Sequence, residues 1–568
     1  MLCYRAQFKF RQIYVIIPIQ FVSLADKSND KRMNRLFILT LTLICHCLVT
    51  SAQEIEYSRP ENSPESCTSI MVGKKASADG SVMTSHTCDS NYRTWMDIVP
   101  SATYDGDTTI AIYNGRMHTE YPGDETNVEQ KGTIPQARST YQYLNTSYPC
   151  LNEKQLGIGE TTISGRKGMV NRNGMFMIEE LQKIALQRCS TARDAIRLMG
   201  ELVKKYGYGD SGECLTIADP DEVWIFEIFG EGPDQIGGVW AAVRIPDDHV
   251  SVSANVSRIS TLDIKDKNNY MASENVFDVA KKMGFWDGKK PFRFWEAYSG
   301  GNYSGEFKSF SLREFFILNS LAPSLKLSYD SEELPLSVKP DKPVAVTDVM
   351  ALLRETYEGT GWDVTKNLKV LAKKKDSREK DSITSPSANP WMTTDMINML
   401  NGVKSGVVTR NRLVAVPQCS YSHVIQLRSW LPDAVGGIAW MSFDNPGQSP
   451  RFPIFAGSTA LPPSFYICGQ HRHRDDAAIW SFREANKLAT VRWGLTKEMM
   501  QKAIMHYEEK GQMELPFVEN QYQQIQKAKG DDAAKAYLTG YTSDFAGATM
   551  QRWEDMADEF WKMFARGF

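Results

Sequence analysis

The chain has 568 residues, 42% hydrophobic and 23% charged, an ordinary globular composition with room for several domains or one large catalytic unit. Lys and Arg number 65 against 68 Asp and Glu, a formal charge of -3. That balance excludes a basic nucleic-acid-binding surface and an acidic partner arm, and leaves small molecules or peptides as the ligand class.

In chain order, residues 1–32 hold a weak apolar stretch, Ile13 to Val22, broken by Pro18. They read as an over-extended start, with Met33 as the true first residue. Met33-Asn34-Arg35, the apolar run Leu36 to Val49 and the small residues Thr50-Ser51-Ala52 match a secretory signal cleaved after Ala52. The run is shorter than the ~20 residues a bilayer span needs, so no stable membrane insertion is expected after signal removal. Residues 53–66 are polar, contain Pro60 and Pro64, lack periodicity and read as a short pro-segment. The expected location is therefore the periplasm or the cell exterior.

From Cys67 onward, Thr68–Gly73 and Ser81–Ser90 read as a β-hairpin. Met177–Met199 has the apolar spacing of helices, with a break near Ser190. Strands are expected at Cys214–Ala218, Val223–Ile228, Val239–Arg244 and Val250–Asn255, with Asp219-Pro220-Asp221 as a turn. Residues 265–345 mix aromatic loops with helices, and 366–390 read as a charged surface insertion. Strands return at Arg412–Val416, His423–Leu427 and Ile438–Phe443, and 477–568 reads as a helical C-terminal part. The catalytic domain is therefore expected to span 67–476.

Ten cysteines are present, seven of them beyond the signal region, with wide spacings and no C-x-x-C pair. An odd count in a chain this long argues against a disulfide framework, although a Cys150–Cys214 pair stays open. It directs attention to one reactive thiol. Cys67 is the best placed, since it directly follows the pro-segment at the head of an apolar strand. Cleavage between Ser66 and Cys67 would give one residue both a thiol and a free α-amine. An α-amine titrates near 7.7–8.0 and can take the thiol proton at neutral pH, which an uncut peptide nitrogen cannot. A regular hairpin centred on Ala78 places Asp89 opposite Cys67, where it could orient that amine, and turns His86 to the other face. His86 reaches the site only through a bulge. His471-Arg472-His473-Arg474-Asp475-Asp476 reads as a polar loop, because no second ligand pair lies at a zinc-type spacing. No P-loop pattern occurs, and no metal or organic cofactor is expected.

The run Cys67-Thr68-Ser69-Ile70-Met71-Val72-Gly73 with Ala76-Ser77-Ala78-Asp79-Gly80-Ser81 resembles the opening of the dipeptidase A family of cysteine peptidases. With the secernins, that family belongs to the N-terminal-nucleophile hydrolases. Stretches at Asn152–Thr162, Glu179–Leu181, Ala218–Trp224, Val250–Asn255, Leu353–Thr360 and Gln426–Pro432 continue the resemblance in order to about residue 490. It implies an α+β fold, an αββα four-layer sandwich, and hydrolysis of dipeptides with broad side-chain tolerance. Cys67 matches the nucleophile, Asp89 the acidic residue that holds its amine, and Asn255 an asparagine that polarises the carbonyl or steadies the nucleophile. Glu160 and Thr161 lie where related amidases place an oxyanion residue, although the residue types differ. His86 stands where many relatives carry arginine. Arg428 is a further substrate-side candidate, with a structural strand role as its alternative.

Three rivals accompany this reading. One is a bile-salt or penicillin acylase-like amidase of the same superfamily. Another is a papain-like protease using Cys67, His423 and Asn445. The third is a catalytically inactive binding or scaffold protein. Dipeptide preference and homo-oligomerisation stay open.

Overall fold

The computed structural model describes residues 67–301, 308–373 and 378–565, all within one compact unit, Ser63–Phe568. The expectations for residues 1–66, from the over-extended start to the pro-segment, lie outside the described residues.

Two antiparallel sheets dominate. The first runs, edge to edge, through Ser337–Val338, Val250–Ser253, Ser69–Val72, Val82–Asp89, Cys419–Leu427, Ile438–Phe443 and Phe452–Phe455. The second runs through Tyr270–Ala272, Val239–Ile245, Val223–Phe229, Glu213–Ala218, Gly157–Thr162, Leu151–Asn152, Tyr143–Asn145 and Asp97–Val99. Period-2 alternation explains how the first sheet is buried on both faces. Ile70, Val72, Met83, Val424 and Trp440 join one apolar cluster, which includes the helices Leu312–Leu321 and Val346–Leu353. Met71, Val82, Ile425, Ala439 and Met441 join another, shared with the second sheet. The helices Ile178–Arg188 and Ala192–Tyr206 pack on that second sheet.

The sheets meet closely beside Cys67. Thr84 Oγ1 lies 2.6 Å from Thr216 Oγ1, and Ser69 Oγ donates to the Glu160 carbonyl at 3.1 Å. Gly159 permits this approach, because a Cβ there would run into the Ser85 carbonyl oxygen and sit 2.5 Å from Thr216 Oγ1. Gly159→Ala is therefore expected to cost about 1–3 kcal/mol by forcing the sheets apart, read as a lower melting temperature.

The C-terminal part is helical: Ala478–Val491, Trp493–Lys529 and Asp531–Phe564. In the last helix Leu538, Thr542, Phe545, Thr549, Trp553, Met556 and Phe560 are buried at three- and four-residue spacing. Gly530, at φ 87, supplies the positive-φ backbone that joins the two long helices, a conformation glycine adopts without steric cost. Thr542 Oγ1 donates to the Pro453 carbonyl at 3.0 Å, so the last helix covers the sheet edge Phe452–Phe455. The charged insertion forms an exposed two-stranded hairpin, Lys369–Lys373 with Lys380–Thr384. All seven described cysteines are free, so Cys150 and Cys214 are not paired. Among the described residues no helix is long and apolar enough to cross a membrane.

Two sequence expectations need correction. Arg412–Val416 is not a strand. Its backbone is satisfied by loop groups instead: Tyr357 Oη donates to Arg412 O at 3.1 Å, Trp391 Nε1 to Ala415 O at 3.0 Å, and Ala415 N to Glu355 O at 3.1 Å. The hairpin register is also displaced by one residue. Val72 pairs with Met83 and Thr68 with Thr87, so the position opposite Cys67 is Cys88, not Asp89. The turn that sets this register is not symmetrical. Ala78 N donates to Val344 O at 2.9 Å, while the Asp79 carboxylate gathers the hydroxyls of Ser77 and Ser81. A one-residue slip exchanges the faces of the strand, and so changes which side chains meet Cys67.

Candidate active site

Cys67 is fully buried at the head of the strand Ser69–Val72. The slipped register brings His86 to its side without a bulge. Cys67, His86 and Glu160 form one buried group whose sulfur, ring-nitrogen and carboxylate atoms lie within 4.8 Å of one another. His86 Nε2 is 3.3 Å from Glu160 Oε2. Burial pushes the Cys67 thiol well above its ordinary pKa, and the charges of Glu160, Cys88 and Asp89 push the same way. The backbone N–H of Asp89, hydrogen-bonded to the thiol, opposes them. The thiol is therefore protonated at neutral pH unless a neighbouring base takes its proton.

Asp89 reaches the site by a different route from the one expected. The Thr68 N–H donates to Thr87 Oγ1 at 2.9 Å, which donates to Asp89 Oδ2 at 2.9 Å. Arg412 Nη2 donates to the same oxygen at 2.9 Å. Asp89 Oδ1 is buried and has no hydrogen-bond partner among the described residues. A carboxylate oxygen left unsatisfied in this way is ready to accept a further donor.

Asn255 lies just past the strand Val250–Ser253 in the left-handed region, φ 64, which asparagine tolerates better than most residues. Its Nδ2 donates to Thr162 O at 2.7 Å and its Oδ1 accepts from Arg313 Nη2 at 2.8 Å. An amide nitrogen carries two hydrogens, so one donor remains for a ligand. Arg313 went unnoticed in the sequence and ties the site together. Its Nη1 donates to Cys67 O at 2.6 Å and to Thr68 Oγ1 at 3.0 Å, and its Nη2 also reaches Ala254 O at 3.0 Å. It stands in the first turn of Leu312–Leu321, where Ser311 and Glu314 form a capping box and Glu314 Oε1 accepts the Ala254 N–H at 2.8 Å. Burial and then the Arg412 charge lower the Arg313 pKa to about 10, which leaves it cationic at neutral pH. The Ser311-x-x-Glu314 spacing could have marked the helix start, but no local pattern says that Arg313 turns inward.

The remaining candidates divide. Thr161 Oγ1 bonds Ser253 Oγ at 2.6 Å, between the sheets and beside Cys214. Arg428 is not brought to Cys67. Its guanidinium donates to Val435 O at 2.6 Å, Gly436 O at 3.0 Å and the Glu519 carboxylate, tying a strand end to the long helix. The papain-like set is not assembled. Asn445 bonds Gln448 Oε1 and the Gly447 N–H, and neither ring nitrogen of His423 has a hydrogen-bond partner among the described residues. His423 instead packs edge-to-face on His86, ring centroids 5.5 Å apart, and burial drives its pKa well below the ordinary value.

Comparison with known proteins agrees with the extent of this region. A probable dipeptidase of Latilactobacillus sakei is 25% identical over 410 residues, covering 69% of this chain and 74% of that protein. A probable dipeptidase of Salmonella dublin is 25% identical over 414 residues, covering 70% and 82%. Probable dipeptidase B of Streptococcus pyogenes serotype M1 is 24% identical over 438 residues, covering 75% and 78%. The model of peptidase family C69 matches residues 66–506, starting one residue before the buried thiol. The chain belongs to peptidase family C69 and is a peptide-bond hydrolase.

Proposed function

We propose that this chain is an exported cysteine dipeptidase of the N-terminal-nucleophile type, whose pro-segment is removed so that Cys67 becomes the first residue. The observation that carries the reading is the buried Asp89 carboxylate, whose Oδ1 has no hydrogen-bond partner among the described residues and whose own backbone N–H bonds the Cys67 thiol, an acceptor within one residue's reach of a newly freed α-ammonium group. The αββα layering of this superfamily is supported by the two facing sheets with helices on their outer sides. The names of the related proteins support dipeptides as substrates.

In this mechanism Cys67 Sγ attacks the scissile carbonyl carbon while the α-amine takes the thiol proton. Proton acceptance by the amine is what makes a thiol with an elevated pKa serviceable at neutral pH. The free Asn255 N–H stabilises the carbonyl oxygen as it becomes negative. The C–N bond then breaks, the amine passes its proton to the departing nitrogen, and a thioester remains on Cys67. Water then attacks the thioester carbon and gives a proton to the amine; the C–S bond breaks, the acid product departs, and the amine returns the proton to the sulfur. Amino-terminal sequencing and intact mass of active protein test the reading: catalytically active chains begin at Cys67, and activity in chains with an intact 66–67 bond overturns it. Faster turnover of conjugated acyl amides than of dipeptides would favour the acylase-like alternative.

The Cys67–His86–Glu160 grouping favours a second reading, in which His86 takes the thiol proton and no cleavage is needed. His86→Arg separates the two. An arginine keeps a cationic group facing Glu160 but cannot act as a base near neutral pH. Under the amine mechanism His86→Arg retains activity within about tenfold and His86→Ala loses more. Under the histidine mechanism both lose about 10²–10⁴-fold in kcat, the contribution of a general base.

A further inference from the structure

We propose that Cys468, His471 and Glu120 form a binding site for a zinc-class divalent cation, separate from the catalytic group. In the sequence Cys468 stands three residues before His471, the first residue of the polar loop 471–476, with no second ligand pair at a zinc-type spacing. The fold supplies that partner from far along the chain, because the Cys468 N–H donates to Glu120 O at 2.9 Å. The donor atoms of all three side chains then lie within 4.8 Å of one another.

The geometry distinguishes a metal site from a second catalytic relay. A relay needs the thiol on one ring nitrogen and the carboxylate on the other. Here both address the same nitrogen: His471 Nδ1 is 3.8 Å from Cys468 Sγ and 2.7 Å from Glu120 Oε1. The three ligand atoms therefore lie close enough together to share one ion. The other ring nitrogen, Nε2, faces the Asn91 carbonyl at 3.4 Å, the backbone contact that commonly orients a metal-bound histidine. Tetrahedral zinc with ordinary bond lengths sets its sulfur and nitrogen ligands about 3.5 Å apart, and nitrogen and oxygen about 3.3 Å apart. The Cys468–His471 spacing is already close to this. The His471–Glu120 pair must open by roughly half an ångström as the shared proton gives way to the cation.

Thiolate and imidazole select zinc-like ions over magnesium or calcium. Cys468 is buried, whereas His471 and Glu120 are partly exposed, which leaves a solvent side for arrival and a fourth ligand. Arg472 Nε lies 3.9 Å from Glu120 Oε2, the oxygen that does not face His471. The surroundings are well braced: Gly469 N donates to Thr94 Oγ1 at 2.9 Å, and Gln470 Nε2 to Ser90 O at 2.8 Å. A bound ion would clip this loop to the Glu120 segment, while Gly469 and Gln470 already hold it to the residues that follow Asp89.

The test uses full-length protein carrying Cys67→Ala, so that the catalytic thiol cannot supply a second thiolate ligand. Titration with Co²⁺ is expected to give one equivalent per chain with a thiolate-to-cobalt absorption band, displaced by Zn²⁺. Cys468→Ser in that background removes the band, and His471→Ala weakens binding and abolishes the rise in melting temperature caused by Zn²⁺. His471 is partly exposed, so its variant stays informative if Cys468→Ser fails to fold. Absence of the band in the Cys67→Ala protein, or its survival in the Cys67→Ala/Cys468→Ser protein, overturns the proposal. Neither outcome depends on where the catalytic chain begins.

Discussion

Cys67→Ala is expected to abolish dipeptide hydrolysis, lowering kcat/KM by at least about 10³-fold, the scale seen when a nucleophile is lost and only binding groups remain. The fold should survive, since the substitution removes a single buried sulfur and leaves the Arg313 bond to the Cys67 carbonyl intact. A melting temperature within a few degrees of the parent, measured beside the loss of turnover, separates chemistry from folding. Alkylation adds a pH-resolved measurement. Burial, Glu160, Cys88 and Asp89 all raise the Cys67 pKa, so the protonated thiol persists through neutral pH and thiolate accumulates only as pH rises. Iodoacetamide should therefore label Cys67 slowly at pH 7 and faster at higher pH in chains that retain residues before it. Chains that begin at Cys67 should label faster at pH 7, because the amine accepts the proton. Equal rates in the two forms would remove the amine from the mechanism.

Arg313→Ala should be the most destabilising single change near the site. It leaves Cys67 O, Thr68 Oγ1, Ala254 O and Asn255 Oδ1 without the cation that now satisfies them. Leaving a buried polar acceptor unsatisfied costs about 1–3 kcal/mol, and several are stranded together here, so a large drop in melting temperature is expected. Arg313→Lys keeps the charge but not the two-pronged geometry, so part of the stability should return. Arg313 acts through Cys67 and Asn255, so it is a positioning residue. With Arg313→Lys, kcat should fall by roughly 10²-fold, the scale of a misplaced oxyanion donor, while KM changes little. A KM rise with kcat unchanged would instead place Arg313 at the substrate.

The strands Val223–Phe229 and Ile438–Phe443 were legible within a residue, because short runs rich in β-branched and aromatic residues and bounded by turns have few other ways to bury themselves. The paired helices after Met177 were legible by their spacing, broken near Ser190 as expected. Arg412–Val416 misled because its apolar residues are buried without a strand partner, held by side chains of Tyr357 and Trp391. The same irregular path lets Arg412 reach Asp89, a contact with no local signature.

The sequence by itself determined the chemistry available: a thiol at position 67, an aspartate at the end of the next strand, an asparagine after Ser253, and a family resemblance spread across most of the chain. Local residue types settle such things because nucleophilicity, charge and turn preference belong to individual side chains. Which groups surround the thiol was decided only by tertiary structure. The register of Ser69–Val72 against Val82–Asp89 depends on Val344 and Asp79 holding the turn open, and one residue of slip exchanges the faces that His86 and Asp89 present. Glu160, Arg313 and Arg412 come from distant segments, and the approach of Glu160 depends on two sheets packing at the closeness that Gly159 allows.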